Sequence, residues 1–319
     1  MKEMIKEILR EEMGRMNKTY YFMAGLPRSG STLLSSILNQ NPRFYSGPSS
    51  PVVATMLAIE QSLSNDELFN SYPKPEQARE LIGSVLSTYY GDREEPVIFD
   101  KNRSWTIRVN YIQGYFGIEP KIICPVRDIA EILTSFISLI RRNPFDVNGK
   151  VNFIDEMLIK SNIPLTDDNR CEFLASPDGI LGQSVEGMKK ALMEGYDKCI
   201  HFVEYNDLVN NPEETMSEIY KFLGEEPYQH TFTDLKNQNR EVDAQTYGFA
   251  DMHEVRPTIE KISKNPEDVL SENILQKCEN TEFWRTLDDE LDDELDEDEE
   301  NFNVVMDEDE NDDLNLIGG

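Results

Sequence analysis

The sequence predicts an α/β fold of three layers, in which a central parallel sheet is flanked by helices on both faces. Two observations support this prediction. Short apolar runs of strand length alternate with longer segments of helical periodicity. Parallel strands in such an order need crossover connections, which place the helices on the faces of the sheet. With 319 residues, 39% of them hydrophobic, the chain is long enough to bury one large core.

Each predicted strand is a short, mostly apolar run. The strands are expected over residues 19–25, 97–100, 121–126 and 201–205. The helices are expected over residues 32–39, 107–115, 129–142, 185–194 and 212–223. The last helix has the clearest start, because Asn211 can cap it and Pro212 suits its first turn. Residues 145–177 are predicted to be irregular and to build a lid or an acceptor site.

The sequence divides into three parts. Residues 1–18 place apolar side chains three and four positions apart, which predicts an amphipathic helix packed on the main domain. Residues 19–287 form that domain. The tail over 288–319 contains 17 acidic residues and no Lys or Arg. Such a segment cannot bury enough apolar surface to fold, so the tail is predicted to be disordered and available to a basic partner.

Composition excludes several classes of protein. The net charge is −30, and −13 remains when the acidic tail is set aside, which argues against nucleic-acid binding. Four scattered cysteines and three scattered histidines argue against a metal site. The chain lacks an apolar run of about 18 residues and a signal peptide, so we expect no membrane span and a cytoplasmic protein.

The most informative stretch joins the first predicted strand to the first predicted helix and reads GLPRSGSTLL from residue 25. Gly25 and Gly30 permit a tight turn there. Consecutive backbone N–H groups at the start of a helix form a cradle for an anion, and Arg28 adds a planar cation. The other side chains of this predicted anion site are Ser29, Ser31 and Thr32.

The loop fits the nucleoside-triphosphatase frame GxxxxGK[ST] except at one position. Ser31 stands where that motif has a lysine, which neutralises the β- and γ-phosphates beside Mg²⁺. A triphosphate would therefore lose its main charge partner here. A phosphosulfate suits the loop better, because its terminal group carries a single charge and needs no metal. A P-loop-type fold is expected in either case, and a small-molecule kinase stays as an alternative.

The run LPRSGSTLL resembles the 5′-phosphosulfate loop of sulfotransferases that use 3′-phosphoadenosine 5′-phosphosulfate (PAPS). It is most similar to the tyrosylprotein-sulfotransferase-like branch and its bacterial relatives. Three further segments resemble this family in the same order along the chain. They read IFDKNRSW from residue 98, CPVRD from residue 124, and VEYNDLV from residue 203 followed by Asn-Pro-Glu and FLG.

The resemblance implies a role for particular residues in these segments. Arg28 and the rest of its loop would bind the 5′-phosphosulfate, and Lys101 would contact the transferring sulfuryl group. Arg127 and Ser135 would hold the 3′-phosphate, with Tyr205 near the adenosine. The position of Arg127 agrees with this role, because it follows an apolar strand and so lies at the sheet edge where such folds bind ligands.

The general base of the family is missing from its usual positions. Residues 47–51 read GPSSP and offer no carboxylate where the tyrosylprotein branch has a glutamate. Arg103 stands where the small-molecule enzymes have a histidine. His253 is a candidate base, since histidine accepts protons near neutral pH, and a structural role is the alternative. Arg256 is a candidate contact to the 3′-phosphate in a region that closes over the nucleotide in relatives.

A second phosphate-binding arginine of the family is also displaced. Its usual place is occupied by Leu139. Arg141 or Arg142, slightly further along the chain, can substitute for it. The sequence leaves the choice between them open.

These observations predict an enzyme that transfers a sulfuryl group from PAPS to a hydroxyl or amine acceptor without a metal. The acceptor class cannot be read from the sequence. Two alternatives remain beside the leading one. One is a P-loop kinase of small molecules, and the other is a catalytically inactive binding module on the same fold, because a fold does not guarantee an activity.

Overall fold

The computed structural model describes residues 18–145, 149, 151–236, 243, 247–249, 252–260 and 264–286. Of the helix predicted over residues 1–18, Lys18 alone is among these residues. The tail predicted over 288–319 lies outside them. The chain divides into two compact units, residues 1–277 and 278–319. Of the second unit, residues 278–286 are described, and they contain the short 3-10 helix Phe283–Arg285.

The first unit is built on a five-stranded parallel sheet with the strand order β2-β3-β1-β4-β5. The strands are β1 Thr19–Met23, β2 Phe44–Ser49, β3 Val97–Lys101, β4 Ile122–Val126 and β5 Ile200–Glu204. From β1 the chain adds strands first on one side and then on the other. The end of β1 is therefore a topological switch point, where α/β sheets form a ligand crevice. The α/β fold with a central parallel sheet is confirmed.

The helices connect these strands and cover the sheet. Their bounds are α1 Ser31–Leu38, α2 Val52–Asn65, α3 Glu67–Ser71, α4 Pro75–Tyr89, α5 Val109–Tyr111, α6 Ile129–Arg142, α7 Phe153–Lys160, α8 Asp167–Ala175, α9 Ile180–Met193, α10 Tyr205–Asn210, α11 Pro212–Leu223 and α12 Glu272–Cys278. Short 3-10 helices occur at Arg103–Arg108, Asp197–Cys199 and Pro266–Asp268, and a π-helix at Ile112–Phe116. No described helix combines the length and apolarity needed to cross a membrane.

The core lies on both faces of β1. Phe22 and Met23 are fully buried, and alternate residues of a strand point to opposite faces. The Phe22 ring packs edge-on against Trp105 with 4.6 Å between the ring centroids. On the other face, Met23 belongs to a cluster that includes Leu34 of α1 and Ile219 of α11. This packing fixes the end of β1, from which the loop at residues 25–30 departs.

The prediction that residues 145–177 are irregular was wrong, because this stretch contains α7 and α8. Both helices begin with a side-chain cap that the sequence displays. Asn152 accepts hydrogen bonds from the backbone N–H groups of Ile154 and Asp155, and Thr166 accepts one from Asn169. Asn and Thr satisfy the first amide groups of a helix in this way.

Other departures from the predictions are smaller. The segment predicted as a helix over 107–115 is helical but changes from 3-10 to α and then to π geometry. β2 and the helices α2 to α4 were not predicted. At the start of α11, Pro212 takes the first turn as expected, but the Asn211 side chain makes no capping hydrogen bond.

Candidate active site

A cavity of about 310 Å³ lies at the carboxyl ends of the strands around the switch point. Among the described residues that line it, seven side chains are basic and three are acidic, although the whole chain carries a net charge of −30. This excess of positive charge suits an anionic ligand. The basic residues are Arg28, Lys101, Arg103, Arg127, Arg142, Arg256 and Lys264, and the acidic ones are Glu131, Glu254 and Glu260.

The loop between β1 and α1 has a backbone that glycine makes possible at two points. Gly25 has a φ of +96°, and a Cβ there would lie 2.3 Å from the carbonyl oxygen of Pro125. Gly30 has a φ of +92°, and a Cβ there would lie 2.8 Å from the Tyr205 ring. Arg28 is also left-handed, with a φ of 60°. Both glycines are therefore required by the close approach of neighbouring segments as well as by their φ angles.

Arg28 lies at the centre of the cavity wall and is held by two neutral acceptors. Its Nε donates to the Ser135 hydroxyl at 3.1 Å, and its Nη1 donates to the backbone carbonyl of Met252. Burial, together with the cations of Arg127 and Arg142, lowers the pKa of Arg28 to about 10. An anion placed among these three guanidinium groups would relieve their mutual repulsion.

Ser29 differs from the other predicted loop residues, because the structure does not bring its side chain to the cavity. The side chain is buried, with its hydroxyl 2.6 Å from the carbonyl oxygen of Leu26 and 2.8 Å from that of Pro125. Its side chain therefore braces the loop against β4. Ser31 and Thr32, by contrast, start α1 and line the cavity together with Gly30.

Arg127 follows β4 and is almost fully buried. Its Nε donates to Glu131 at 2.9 Å, one turn further on, and its Nη1 donates to the backbone carbonyl of Arg28 at 3.1 Å. Its guanidinium lies over the Tyr205 ring, 4.2 Å from the ring centroid. Arg127 and Glu131 form an ion pair, and Asp128 caps the start of α6.

One polar stripe of α6 lines the same cavity. Its members recur at helical spacing, so they share one face of the helix. Thr134 and Ser138 have buried hydroxyl oxygens without a hydrogen-bond partner among the described residues. An unpaired buried hydroxyl is costly, and a ligand oxygen would satisfy it. The stripe consists of Glu131, Thr134, Ser135, Ser138 and Arg142.

The structure also distinguishes the two arginines at the end of α6. Arg142 lines the cavity. Arg141 points elsewhere and binds Asp167 through Nε and Nη2, at 3.1 and 2.7 Å. Sequence reasoning left both open, although the spacing from Ser135 and Ser138 identifies Arg142 as the residue on the polar stripe.

Lys101 is the last residue of β3 and lies beside Met23 of β1, because these two strands are neighbours in the sheet. Its side chain is buried and lines the cavity. The preceding residue, Asp100, accepts hydrogen bonds from the Tyr90 hydroxyl at 2.8 Å and from Trp105 Nε1 at 2.6 Å. Complete burial raises the pKa of Asp100. These contacts fix the end of β3 and thereby the position of Lys101.

His253 and Arg256 enter the cavity from the segment 252–260. Nδ1 of His253 lies 2.6 Å from Oδ1 of Asp243, and its backbone N–H donates to Oδ2 of the same carboxylate at 2.8 Å. Arg256 is half-exposed and lies 3.6 Å from Glu260. Sequence reasoning missed Asp243, Arg103, Thr134, Ser138, Met252 and Lys264 as residues of the site.

Within the described residues, no three His, Cys, Asp or Glu side chains lie close enough together to hold a metal ion. The sequence over residues 21–230, about two thirds of the chain, matches the Sulfotransferase family. The chain belongs to this family. No curated protein is found to match its sequence.

Three solved structures are similar to this family member, and the first of them shares its fold. The sulfotransferase domain from the curacin biosynthetic pathway is 16% identical, with a TM-score of 0.51 over 82% of this chain and 96% of that one. The sulfotransferase domain of the Synechococcus PCC 7002 olefin synthase is 18% identical, with a TM-score of 0.44 over 82% and 94%. Retinol dehydratase in a complex with retinol and PAP is 15% identical, with a TM-score of 0.44 over 85% and 82%. Of these three, the first alone has a TM-score above one half.

Proposed function

We propose that the chain transfers a sulfuryl group from PAPS to a hydroxyl or amine acceptor and releases 3′-phosphoadenosine 5′-phosphate (PAP). One observation carries the proposal. Two adjoining basic sites line one cavity: the Arg28 loop after β1, and the pair formed by Arg127 before α6 and Ser135 on α6. A nucleotide with phosphate groups at both its 5′ and 3′ positions would use both sites. A nucleoside triphosphate would use the Arg28 loop alone.

The residues of the cavity suit in-line transfer. Arg28 and the start of α1 would bind the 5′-phosphosulfate and stabilise the charge that develops on the sulfuryl oxygens. Lys101 would donate to the oxygen that bridges sulfur and phosphorus as negative charge gathers on the departing PAP. Arg127 and Ser135 would hold the 3′-phosphate, so that binding energy away from the reacting centre positions it. Tyr205 would lie near the adenosine.

The composition of the loop separates this proposal from phosphoryl transfer. Ser31 lines the cavity at the position where a triphosphatase loop carries its lysine. Arg28, two residues before Gly30 in the sequence, supplies the positive charge instead. A kinase would require Mg²⁺ for nucleotide binding and would gain nothing from a 3′-phosphate.

Calorimetric titration with PAP and AMP tests the proposal, because the two nucleotides differ only by the 3′-phosphate. A charge-assisted hydrogen bond contributes about 1.5–3 kcal/mol, so PAP is expected to bind on the order of ten- to a hundredfold more tightly, with EDTA present. Arg127→Ala should remove most of this preference while weakening AMP only slightly. Arg43→Ala is the matched control, since Arg43 pairs with Glu225 and does not line the cavity.

Incubation with ³⁵S-labelled PAPS and a pool of alcohols, phenols, sugars and amines then tests transfer itself. Label is expected to move to one acceptor class with release of PAP. Equal affinity for PAP and AMP, or a strict requirement for Mg²⁺, would favour the kinase. Tight PAP binding without transfer to any acceptor would favour the inactive binding module.

A further inference from the structure

We infer that Asp243 and His253 form a pair in which the carboxylate fixes the imidazole as the general base of the reaction. The inference rests on the proposed function, because a base has a role only if an acceptor is deprotonated. Both carboxylate oxygens of Asp243 bind the same residue. Oδ1 contacts Nδ1 of His253 at 2.6 Å, and Oδ2 accepts from its backbone N–H at 2.8 Å.

This two-point contact fixes both the orientation of the ring and its tautomer. An ionised carboxylate only accepts hydrogen bonds, so the neutral imidazole facing it carries its proton on Nδ1. The basic lone pair is then on Nε2. The Asp243 side chain is 3% exposed and that of His253 is 13% exposed, so water competes little with the contact. The Tyr247 ring packs against the imidazole, with 5.5 Å between the centroids.

The surroundings of His253 favour a catalytic role over a purely structural one. Of the three histidines in the chain, all within the described residues, His253 alone lines the cavity that contains Arg28 and Lys101. A structural Asp–His pair would be equally stable buried behind the cavity wall. Here His253 lines the cavity that would hold the sulfuryl group and the acceptor.

The carboxylates that line the cavity are weaker candidates for the base. Glu131 is bound to Arg127 at 2.9 Å, and Glu260 lies 3.6 Å from Arg256. Glu254 is exposed to solvent. Histidine, by contrast, is the side chain most often used for proton transfer near neutral pH. Arg103 lines the cavity but keeps its proton at all relevant pH values.

The proposed step balances as follows. The acceptor oxygen or nitrogen forms a bond to sulfur while its proton moves to Nε2 of His253. The bond between sulfur and the bridging oxygen breaks, and its electron pair stays on the 5′-phosphate of PAP. The products are the sulfated acceptor, PAP and an imidazolium that Asp243 stabilises. The imidazolium returns its proton to water after product release.

Two variants of the full-length chain test the pair. His253→Gln removes the base and is expected to lower kcat by on the order of 10²–10⁴ with ³⁵S-labelled PAPS, while KM for PAPS and the affinity for PAP stay unchanged. Asp243→Asn keeps the shape of the side chain. The side-chain carbonyl oxygen of this variant can still accept from the backbone N–H of His253. The side-chain NH₂ group then faces Nδ1 and forces the ring proton onto Nε2. A proton on Nε2 prevents that atom from taking the proton of the acceptor.

Nitrogen-15 NMR of the imidazoles in the PAP-bound chain provides a readout that is independent of turnover. The wild type is expected to show a protonated Nδ1 and an unprotonated Nε2 when the ring is neutral, and Asp243→Asn should reverse this pattern. Asp234→Asn is the control, because the Asp234 side chain is 85% exposed and lies 3.7 Å from Lys236. It should change neither the tautomer nor kcat.

The outcomes separate this inference from the proposed function. If the wild type transfers label and His253→Gln retains its kcat, the base is another group and the inference alone fails. A wild-type ring protonated on Nε2 would also overturn it. If the wild type transfers label to no acceptor, the proposed reaction fails and the role of the pair as a base fails with it. Thermal melting of each variant shows that a lost activity does not reflect a lost fold.

Discussion

Nε of Arg28 donates a hydrogen bond to Oγ of Ser135 at 3.1 Å, joining two residues that are 107 positions apart in the chain. The resemblance assigns Arg28 to the 5′-phosphosulfate and Ser135 to the 3′-phosphate, and the structure brings the two side chains into direct contact. Arg28 also donates to the carbonyl of Met252, the residue before His253. The Arg28 guanidinium thus contacts both the proposed 3′-phosphate site on α6 and the segment that carries the proposed base.

Arg28→Ala is expected to lower kcat for sulfuryl transfer by on the order of 10²–10³, because one preorganised donor to a developing charge has an effect of that size. Its fold should persist, since the loop conformation depends on Gly25, Gly30 and the brace from Ser29. Transfer of ³⁵S label at saturating PAPS measures the loss. Arg28→Lys should restore little, because lysine lacks the planar fork. A wild-type kcat in the alanine variant would show that Arg28 does not touch the sulfuryl group.

Arg141 and Arg142 provide a matched pair of adjacent residues. Arg142→Ala removes a cation from the cavity, and we expect PAP to bind about tenfold more weakly. Arg141→Ala should leave PAP binding unchanged and cost at most about 1 kcal/mol of stability, because Arg141 is half-exposed and Asp167 keeps its pair with Arg170. Calorimetry with PAP and thermal melting test both variants. A larger loss of PAP affinity in Arg141→Ala than in Arg142→Ala would contradict the assignment.

Gly30→Ala should impair both stability and PAP binding. The new Cβ would lie 2.8 Å from the Tyr205 ring at a φ of +92°, so the loop or the ring must move. We expect a loss of about 1–3 kcal/mol in the free energy of unfolding, together with weaker PAP binding. Gly117→Ala is the control, because φ there is +65° but nothing lies within 4 Å of the new Cβ. Unimpaired PAP binding in Gly30→Ala would show that the loop geometry is not needed.

Features whose cause is local in the chain could be predicted from the sequence. The anion loop is specified by its own glycines and Arg28, and α6 has the predicted bounds because Asp128 caps it and apolar residues repeat along one face. Lys101 ends a strand, and Arg127 and Tyr205 each follow one, so a parallel sheet brings them to the same edge. All of them line the cavity as expected.

Features that depend on tertiary contact could not be predicted in the same way. β2 reads FYSGPS, a composition typical of loops, and it forms a strand because the edge of β3 pairs with it. Asp243 is helical and His253 lies in a turn ten residues later, so no periodicity relates them. The orientation of Ser29 also depends on the neighbouring carbonyl of Pro125, which only the fold supplies.

Asp100→Asn should make stability less sensitive to pH. Burial raises the pKa of Asp100 above its ordinary value of 3.8. At pH values between 3.8 and the raised pKa, the folded chain therefore binds more protons than the unfolded chain. The free energy of unfolding of the wild type therefore falls as pH rises from about 4 through the raised pKa. The amide has no such titration and can still accept from Trp105 Nε1, which lies 2.6 Å from the carboxylate.

Urea unfolding of wild type and Asp100→Asn at several pH values between about 4 and 8 measures this effect. The variant is expected to gain stability relative to the wild type as the pH rises through this range and to show no further gain above the raised pKa. Asp178→Asn is the control, because Asp178 is exposed. The difference between its free energy of unfolding and that of the wild type should be the same at every pH. A relative loss of stability by Asp100→Asn as pH rises would mean that the fold stabilises the ionised carboxylate, and that its bonds to Tyr90 and Trp105 outweigh its desolvation.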